Sequence, residues 1–362
     1  MNGVAVIQTA FPGDVILTGG LLRSVRAQWP ELPLLFVVRP DTRDLARLCL
    51  SDLSVTVFDK RGEHAGGKGL RLLASELARG PWDAALIPHR SLRSALLARQ
   101  AGFRFRVGFA LGGGNLLHSV RVPYRRGVHE IERNHDLLCA LQTHVERAEG
   151  DRTGPPAPLL PPRLVPGEDG EGEVRALLGD ETGPAPIVLA PGSVWPTKRW
   201  PEDSWVALAG IVAREGSPVI WIGGPEDRDL TGTLAERSGI GLSAAGHLSW
   251  IGTAALLARA RVLVANDSAP VHLAGALRCP VVTLFGPTVP GFGFGPIGTG
   301  SCSLGLRLGC RPCRLHGSRS CPEGHFRCLR GLEPGEVARA VRQAVETAGR
   351  GITSGTPRPS PA

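Results

Sequence analysis

The sequence predicts an α/β protein built from two doubly wound, parallel-sheet domains in series. Three observations predict it. Short apolar runs alternate with helix-length amphipathic segments almost from the first residue, the pattern of successive βαβ units. The alternation stops in a Pro- and Gly-rich stretch and then restarts. The length, 362 residues, exceeds one ordinary core and suits two.

Val4–Ile7 reads as the first strand, and Val15 to Gln28 as a helix with apolar positions at Ile16, Leu21, Leu22 and Val25. Leu34–Val38 is a continuous apolar run of the kind buried on both faces of a parallel sheet. Asp41 to Leu50 reads as helix, Val55–Phe58 as strand, Leu70 to Ala78 as helix and Ala84–Ile87 as strand; Leu92–Ala101 and Val107–Phe109 continue the alternation. These elements make a first domain over residues 1–152. Residues 153–172, rich in Pro and Gly and without periodicity, read as an interdomain linker. The second domain, 173–350, restarts with strand Ile187–Ala190 and helix Glu202 to Arg214, then strand Val219–Gly223. Helices over Asp229 to Arg237 and Thr253 to Ala260 and strands Val262–Ala265 and Val281–Phe285 follow. A last helix opens at Pro334, a favoured first-turn residue. Residues 351–362 read as a disordered tail. No internal repeat is strong enough to name. Two such domains place a ligand cleft against the C-terminal strand edges, facing both.

No apolar run reaches the roughly 18 residues a membrane-spanning helix needs, and Met1 to Gly13 lacks the zones of a secretory signal. A cytoplasmic protein is expected. Net charge is +8 with a pI of about 9.5, which suits an anionic partner. The charge is nearly all arginine, with lysine only at Lys60, Lys68 and Lys198. Nucleic-acid binding would interleave aromatics with basic residues, yet aromatics are only 5% and no recognition motif appears.

Several loops carry chemistry at strand ends. Phe11-Pro12-Gly13-Asp14 follows the first strand: Gly13 admits a ligand to the backbone, and Asp14 is either a helix N-cap or a base for a sugar hydroxyl. Ala190-Pro191-Gly192-Ser193, with Lys198 ahead of the next helix, reads as a diphosphate cradle or as an ordinary β–α loop. Asn266-Asp267-Ser268-Ala269-Pro270 ends one strand and starts a helix; Asp267 and Ser268 are phosphate-facing groups or plain caps. His272 lies inside that helix, where a structural hydrogen bond is expected. Gly223-Gly224-Pro225-Glu226-Asp227 offers carboxylates at ribose distance from a phosphate loop without matching GxGxxG. Phe285-Gly286-Pro287-Thr288 is a further strand-end turn that either lines the same pocket or simply turns the chain.

In this order the segments resemble glycosyltransferase family nine, the heptosyltransferases, especially the heptosyltransferase II branch. The resemblance covers nearly the whole chain: GDVILTGGLLRSVRAQWP, LIPHRSLRSALLARQAGFRFRVGFA, PGSVWPTKRWP, NDSAPVHLAGALRCPVVTLFGPT and CRPCRLHGSRSCPEGHFRCL. It implies a GT-B fold, two Rossmann-like domains facing a central cleft, and inverting transfer of a heptose from an ADP-sugar to a lipid A–core acceptor, with no metal cofactor for catalysis. It makes Asp14 the base and Lys198 the diphosphate contact. Asp267, Ser268 and Ala269 hold the nucleotide phosphates, with Gly13, Ser193 and His272 lining the donor site and Glu226 or Asp227 on the ribose. Ala269 and Pro270 depart from the family's usual glycine-bearing segment. The first domain then receives an anionic glycolipid at the inner membrane surface, with Lys68, Arg90, Arg93, Arg121, Arg125 and Arg126 as candidate contacts. A nucleotide-sugar epimerase on the same fold is the alternative enzyme.

Cys310, Cys313, Cys321 and Cys328 crowd into one short loop with a leading CxxC, a pattern that suits a tetrahedral structural zinc, or else reduced thiols or local disulfides. His316 and His325 are substitute ligands. Cys49, Cys139 and Cys279 sit in apolar surroundings and read as buried thiols.

Overall fold

The computed structural model describes residues 1–150, 155–179 and 183–352. Contacts divide the chain into two compact units, Met1–Val165 and Pro166–Ala362. Unit 1 runs β1 (Val4–Ile7), α1 (Pro12–Gln28), β2 (Leu34–Val38), α2 (Arg43–Arg47), β3 (Ser54–Val57), α3 (Gly66–Leu77), β4 (Ala84–Ile87), α4 (Leu92–Gln100), β5 (Phe105–Phe109), β6 (Val120–Val122) and α5 (Glu130–Glu149). Its sheet is parallel throughout, in the order β3-β2-β1-β4-β5-β6.

Unit 2 begins with α6 (Glu168–Leu178), β7 (Ile187–Ala190), α7 (Glu202–Ala213), β8 (Val219–Trp221), α8 (Arg228–Ser238), β9 (Leu242–Ser243) and α9 (Trp250–Arg259). It continues with β10 (Val262–Asn266), α10 (Ala269–Ala276), β11 (Val281–Leu284), β12 (Cys302–Leu304), α11 (Arg327–Arg330) and α12 (Pro334–Ile352). The order β12-β11-β10-β7-β8-β9 is again all parallel. Counted from its own first strand, unit 2 repeats the topology of unit 1. The sequence shows no such repeat, because it is connectivity and not side chains that recur. In each sheet the winding reverses beside the first strand, at β1/β4 and at β7/β10, and ligand crevices open at such points.

Every residue of β1 and β2 is buried, as two covered faces require. Leu70, Leu73 and Leu77 of α3 and Leu97 and Ala98 of α4 pack with Ala5, Ile7, Leu35 and Val37. In unit 2 the core is built on Trp200, Trp205 and Trp221, successive rings meeting edge-to-face at 5.2 and 6.4 Å.

Helix α1 starts at Pro12, three residues before the sequence expectation of Val15, because proline is favoured at the first helical position. Asp14 is therefore the third residue of the helix and not its N-cap. The sequence reading also lacked α5, α6, α11 and the short strands β6, β9 and β12. The buried face of α5 mixes an apolar stripe (Ile131, Leu137, Leu138, Leu141 and Val145) with Glu130, Arg133, Asn134 and Gln142, so its apolar period is weak. β6 and β12 are three residues each, too short for an alternation to register.

The Pro-rich stretch does not run free. Leu160 N–H donates to Ser24 Oγ at 3.1 Å, and Ala157 N–H donates to Gln142 Oε1 at 2.9 Å, docking residues 155–165 on α1 and α5. Helix α6 opens at Glu168, inside the segment expected to be linker, and residues 153 and 154 of that segment lie outside the described residues. At the other end α12 runs two residues into the expected tail; residues 353–362 lie outside the described residues. A Cβ at Gly20 would stand 2.7 Å from the Leu160 carbonyl oxygen, so this glycine lets the strap cross α1. Gly20→Ala is expected to destabilise the protein by about 1–3 kcal/mol, the usual cost of overpacking, despite alanine's better helix propensity. A denaturant midpoint at or above that of the parent would refute the crossing argument.

Candidate functional site

In unit 1 the β1–α1 turn carries Asp14, whose Oδ2 accepts the Phe11 N–H at 3.2 Å. The side chain thus caps the helix start from inside it, as a third-position acid can. Burial pushes its carboxyl up to about 7 and the Glu130 charge adds to this; the Phe11 N–H, its own backbone and Arg90 pull the other way. Glu130, buried at the start of α5, pairs with buried Arg133 at 2.6 Å. Arg90 and Arg133 lie 4.7 and 4.9 Å from the Tyr124 ring centre, a cation–π stack beside the turn.

A second polar group gathers at the ends of β1, β3 and β4. Lys60 Nζ donates to Thr9 Oγ1 at 2.7 Å, Ser91 Oγ at 3.2 Å and Ser94 Oγ at 3.4 Å. Thr9 Oγ1 also meets His89 Nδ1 at 3.1 Å and Ser94 Oγ at 3.0 Å. Burial, with Arg93 and Arg39 nearby, pulls the Lys60 ammonium down to about 8. Burial and the charges of Lys60, Arg90 and Arg39 bring His89 to about 4, so it is neutral near pH 7. A half-buried cation ringed by hydroxyls and further cations suits an anion. The sequence reading passed over Lys60 as a site residue. Its signal was there: a rare lysine in an arginine-rich chain, just past a strand.

The expected acceptor contacts are distributed differently from one another. Arg90 is exposed beside Asp14. Arg93 instead donates to the carbonyls of Lys60 at 2.9 Å and His64 at 2.8 Å, holding the β3–α3 loop. Arg125 is taken by Asp136 in a two-point contact of 2.7 and 2.9 Å. Lys68 is exposed in the first turn of α3, Arg121 on edge strand β6, and Arg126 after it.

In unit 2, Lys198 Nζ lies 2.7 Å from Asp267 Oδ2, with both side chains mostly buried. Thr288 Oγ1 donates to the same Asp267 oxygen at 2.6 Å. Asn266, fully buried, ties two loops: its Nδ2 donates to Pro191 O at 2.7 Å and its Oδ1 accepts from Trp200 N–H at 3.1 Å. Arg199 Nε donates to Ser193 O at 2.8 Å. The PGS loop and the Lys198 turn are thereby fixed around the β7/β10 switch point. Asn266 and Thr288 lie in segments the sequence singles out, but it assigns them no role of their own, because those roles depend on partners some 20 to 75 positions away.

Ser268 is the N-cap of α10 by backbone position, but its hydroxyl turns back to Asn266 O at 3.2 Å. Ala269 and Pro270 form the first turn, where proline contributes no N–H. His272 is buried in α10, its ring 6.2 Å from that of Phe294. Of the two candidate ribose carboxylates, Asp227 is buried against Gly192 and Gly223 and accepts the Gly224 N–H at 3.3 Å; Glu226 is exposed.

The cysteine loop, expected as a zinc site or as a set of thiols, carries its four sulfurs outside any disulfide. Among the described residues no group of three or more His, Cys, Asp or Glu side chains converges to hold a metal. Cys313 Sγ donates to Cys310 O at 2.9 Å, and Cys310 Sγ faces His325 Nε2 at 3.8 Å. Cys328 belongs to the apolar core of unit 2. Burial raises the thiols of Cys313 and Cys328 above the usual range. With Cys321, all eight cysteines are free. Cys49 and Cys279 are buried and pushed up to about 12, whereas Cys139 is only partly buried, against expectation, with its sulfur 3.4 Å from His135 Nδ1.

Residues 70–323 match the family model for glycosyltransferase family 9 (heptosyltransferase). The chain is 35% identical over 201 residues to lipopolysaccharide heptosyltransferase 1 of Pseudomonas aeruginosa, covering 53% of this chain and 49% of that protein. It is 27% identical over 299 residues to lipopolysaccharide heptosyltransferase 2 of Escherichia coli, covering 80% and 84%. The fold matches the solved ADP-heptose lipopolysaccharide heptosyltransferase II of E. coli with a TM-score of 0.76 at 23% identity, over 95% of this chain and 98% of that one. A family 9 glycosyltransferase from Veillonella parvula matches with a TM-score of 0.78 at 22% identity, over 95% and 97%.

Proposed function

The chain belongs to glycosyltransferase family 9, the heptosyltransferases, and is a glycosyltransferase with a two-unit α/β fold of GT-B type; from that premise we propose that it transfers a heptose from ADP-heptose to a lipopolysaccharide-core acceptor with inversion. This assignment replaces the nucleic-acid and epimerase readings. The observation that carries the mechanism is Asp14, a carboxyl in the first turn of α1 whose pKa is raised to about 7, where a general base works best.

In a single displacement the acceptor hydroxyl oxygen bonds to the anomeric carbon as the bond to the diphosphate oxygen breaks. Asp14 takes the hydroxyl proton, and the bonding electrons leave with ADP. Lys198 stands where that negative charge grows, already oriented by Asp267. Glu226 is placed on the ribose and the α10 start on the phosphates, with Ala269 supplying a backbone N–H. A fixed ammonium supplies the neutralisation that a divalent ion gives in other transferases, so transfer is metal-independent in this reading. Lys60 with its hydroxyl ring, and Arg90 beside Asp14, receive the anionic groups of the acceptor, a glycolipid at the inner membrane surface.

The test is incubation of the purified protein with ADP-heptose and a heptose-deficient core glycolipid, with anomeric configuration read by NMR. Heptosylated product of inverted configuration is expected, and retention of configuration would rule out the single displacement. Transfer should stay within about twofold when EDTA is present throughout. Loss of turnover restored by a divalent ion would overturn metal independence.

A further inference from the structure

The cysteine-bearing segment holds both sides of the donor site. On one side it grips the residue before Lys198. Thr197 is 4% exposed; its Oγ1 donates to Ser318 O at 2.8 Å and accepts the Ser318 N–H at 2.8 Å, and its own N–H reaches Ser318 O at 3.3 Å. Next to this clasp Gly317 sits at φ +91°, and a Cβ there would stand 2.9 Å from Trp195 Cβ and 3.3 Å from Lys198 Cγ. Only glycine lets the segment lie flat on the lysine stem in that backbone conformation.

On the other side the segment grips the turn after β11. Arg311 Nη2 donates to Phe285 O and Thr288 O, both at 2.9 Å, while Nη1 bonds Leu306 O. Cys313 N–H donates to Pro287 O at 2.9 Å. That turn delivers Thr288 to Asp267, and Asp267 to Lys198. The Lys198 and Thr288 loops come from opposite sides of the β7/β10 switch point, and the 305–318 stretch is bonded to both.

We propose that residues 305–318 are a brace that fixes the Lys198–Asp267–Thr288 cluster, with Thr197 and Arg311 as positioning residues for binding of the nucleotide diphosphate. The proposal rests on Lys198 facing that diphosphate. A planar guanidinium is suited to the Arg311 position because its fork spans several carbonyls at fixed angles, which a lysine ammonium cannot do. The brace also gives the loop a role that needs no metal: its backbone and Arg311, not its sulfurs, make the contacts.

Steady-state kinetics on the full-length enzyme test this. Thr197→Val keeps the shape of the side chain and removes both hydroxyl hydrogen bonds; it should raise the donor KM about tenfold, the effect of losing one or two buried hydrogen bonds, with the acceptor KM within about twofold. Thr197→Ser should restore the donor KM. Arg311→Lys should raise it several-fold, and this variant decides the matter if Thr197→Val does not fold. An unchanged donor KM in a folded variant overturns the brace. So does a joint rise in both KM values with a lowered Tm that Thr197→Ser fails to recover. Lys198→Ala separates the two levels. Unchanged ADP affinity in that variant refutes the reading of the donor site itself; weakened affinity, with Thr197→Val at parental KM, refutes only the brace.

Discussion

Asp14→Asn is expected to lower kcat by about 10²–10⁴-fold, the range general-base catalysis supplies, while ADP affinity stays within about twofold. The amide keeps an oxygen for the Phe11 N–H, so the start of α1 is retained and the loss is one of proton transfer. Turnover equal to the parent's would end the assignment. The pH dependence has a definite sign. A base must be unprotonated to act, and burial with Glu130 holds the Asp14 carboxyl near 7, so kcat/KM should rise as pH increases through about 7. The Lys60 ammonium, pulled down to about 8, loses its charge above that value, so kcat/KM for the anionic acceptor should fall on the alkaline side. A narrow bell between these limits is expected. Glu130→Gln removes the charge that lifts Asp14 and should move the acidic limb to lower pH. An acidic limb near 4 in the parent would show that the carboxyl is not held as described.

The second large effect is expected from Lys198→Ala, which should weaken ADP binding by about 10–100-fold in calorimetry, the cost of 1.4–2.8 kcal/mol. Two losses combine. The diphosphate loses a cation, and Asp267, mostly buried, keeps its carboxylate with Thr288 as its remaining side-chain partner among the described residues. Lys198→Arg should recover only part of the affinity, since a fork and a point charge fit different partners. Unchanged affinity in Lys198→Ala would remove this residue from the donor site. In the double variant Lys198→Ala/Asp267→Asn the deficit should shrink, because the stranded charge has gone; an unchanged deficit would mean that the pair is not coupled.

Much of the fold was legible because parallel strands buried on both faces must be continuously apolar. Val4–Ile7, Leu34–Val38, Ala84–Ile87 and Ile187–Ala190 therefore stand in the sequence with the bounds the structure gives them. α5 was not legible, since its buried face carries Glu130, Arg133, Asn134 and Gln142 among the apolar side chains and so blurs the period. The functional loops could be located, but the duties of their residues could not. Asp14 was readable as a cap or a base, and the structure shows it capping from the third helical position. Asp227 and Glu226 are neighbours of the same type, yet only packing against Gly192 and Gly223 separates a buried structural carboxylate from an exposed one. In the same way Arg93 and Arg90 look alike in sequence. One is spent on loop carbonyls and the other stands beside Asp14.

The four clustered cysteines show the same division. Their spacing allowed a metal cage, but spacing constrains only where sulfurs can travel, not where they point. Cys328 went to the core and Cys313 to a backbone carbonyl, while the loop around them took hold of Thr197 and the Thr288 turn.

By itself the sequence determined the class of fold, two α/β halves in series, because hydrophobic periodicity is a local property written along the chain. It also located the loops at strand ends, because Gly, Pro and the charged residues there are local signals too. Tertiary structure alone decided the repeat of strand order in both units, the ring of hydroxyls around Lys60, and the tie from Lys198 through Asp267 to Thr288. Those depend on contacts between residues tens of positions apart, and in a folded chain burial and partner together set what a charged group can do.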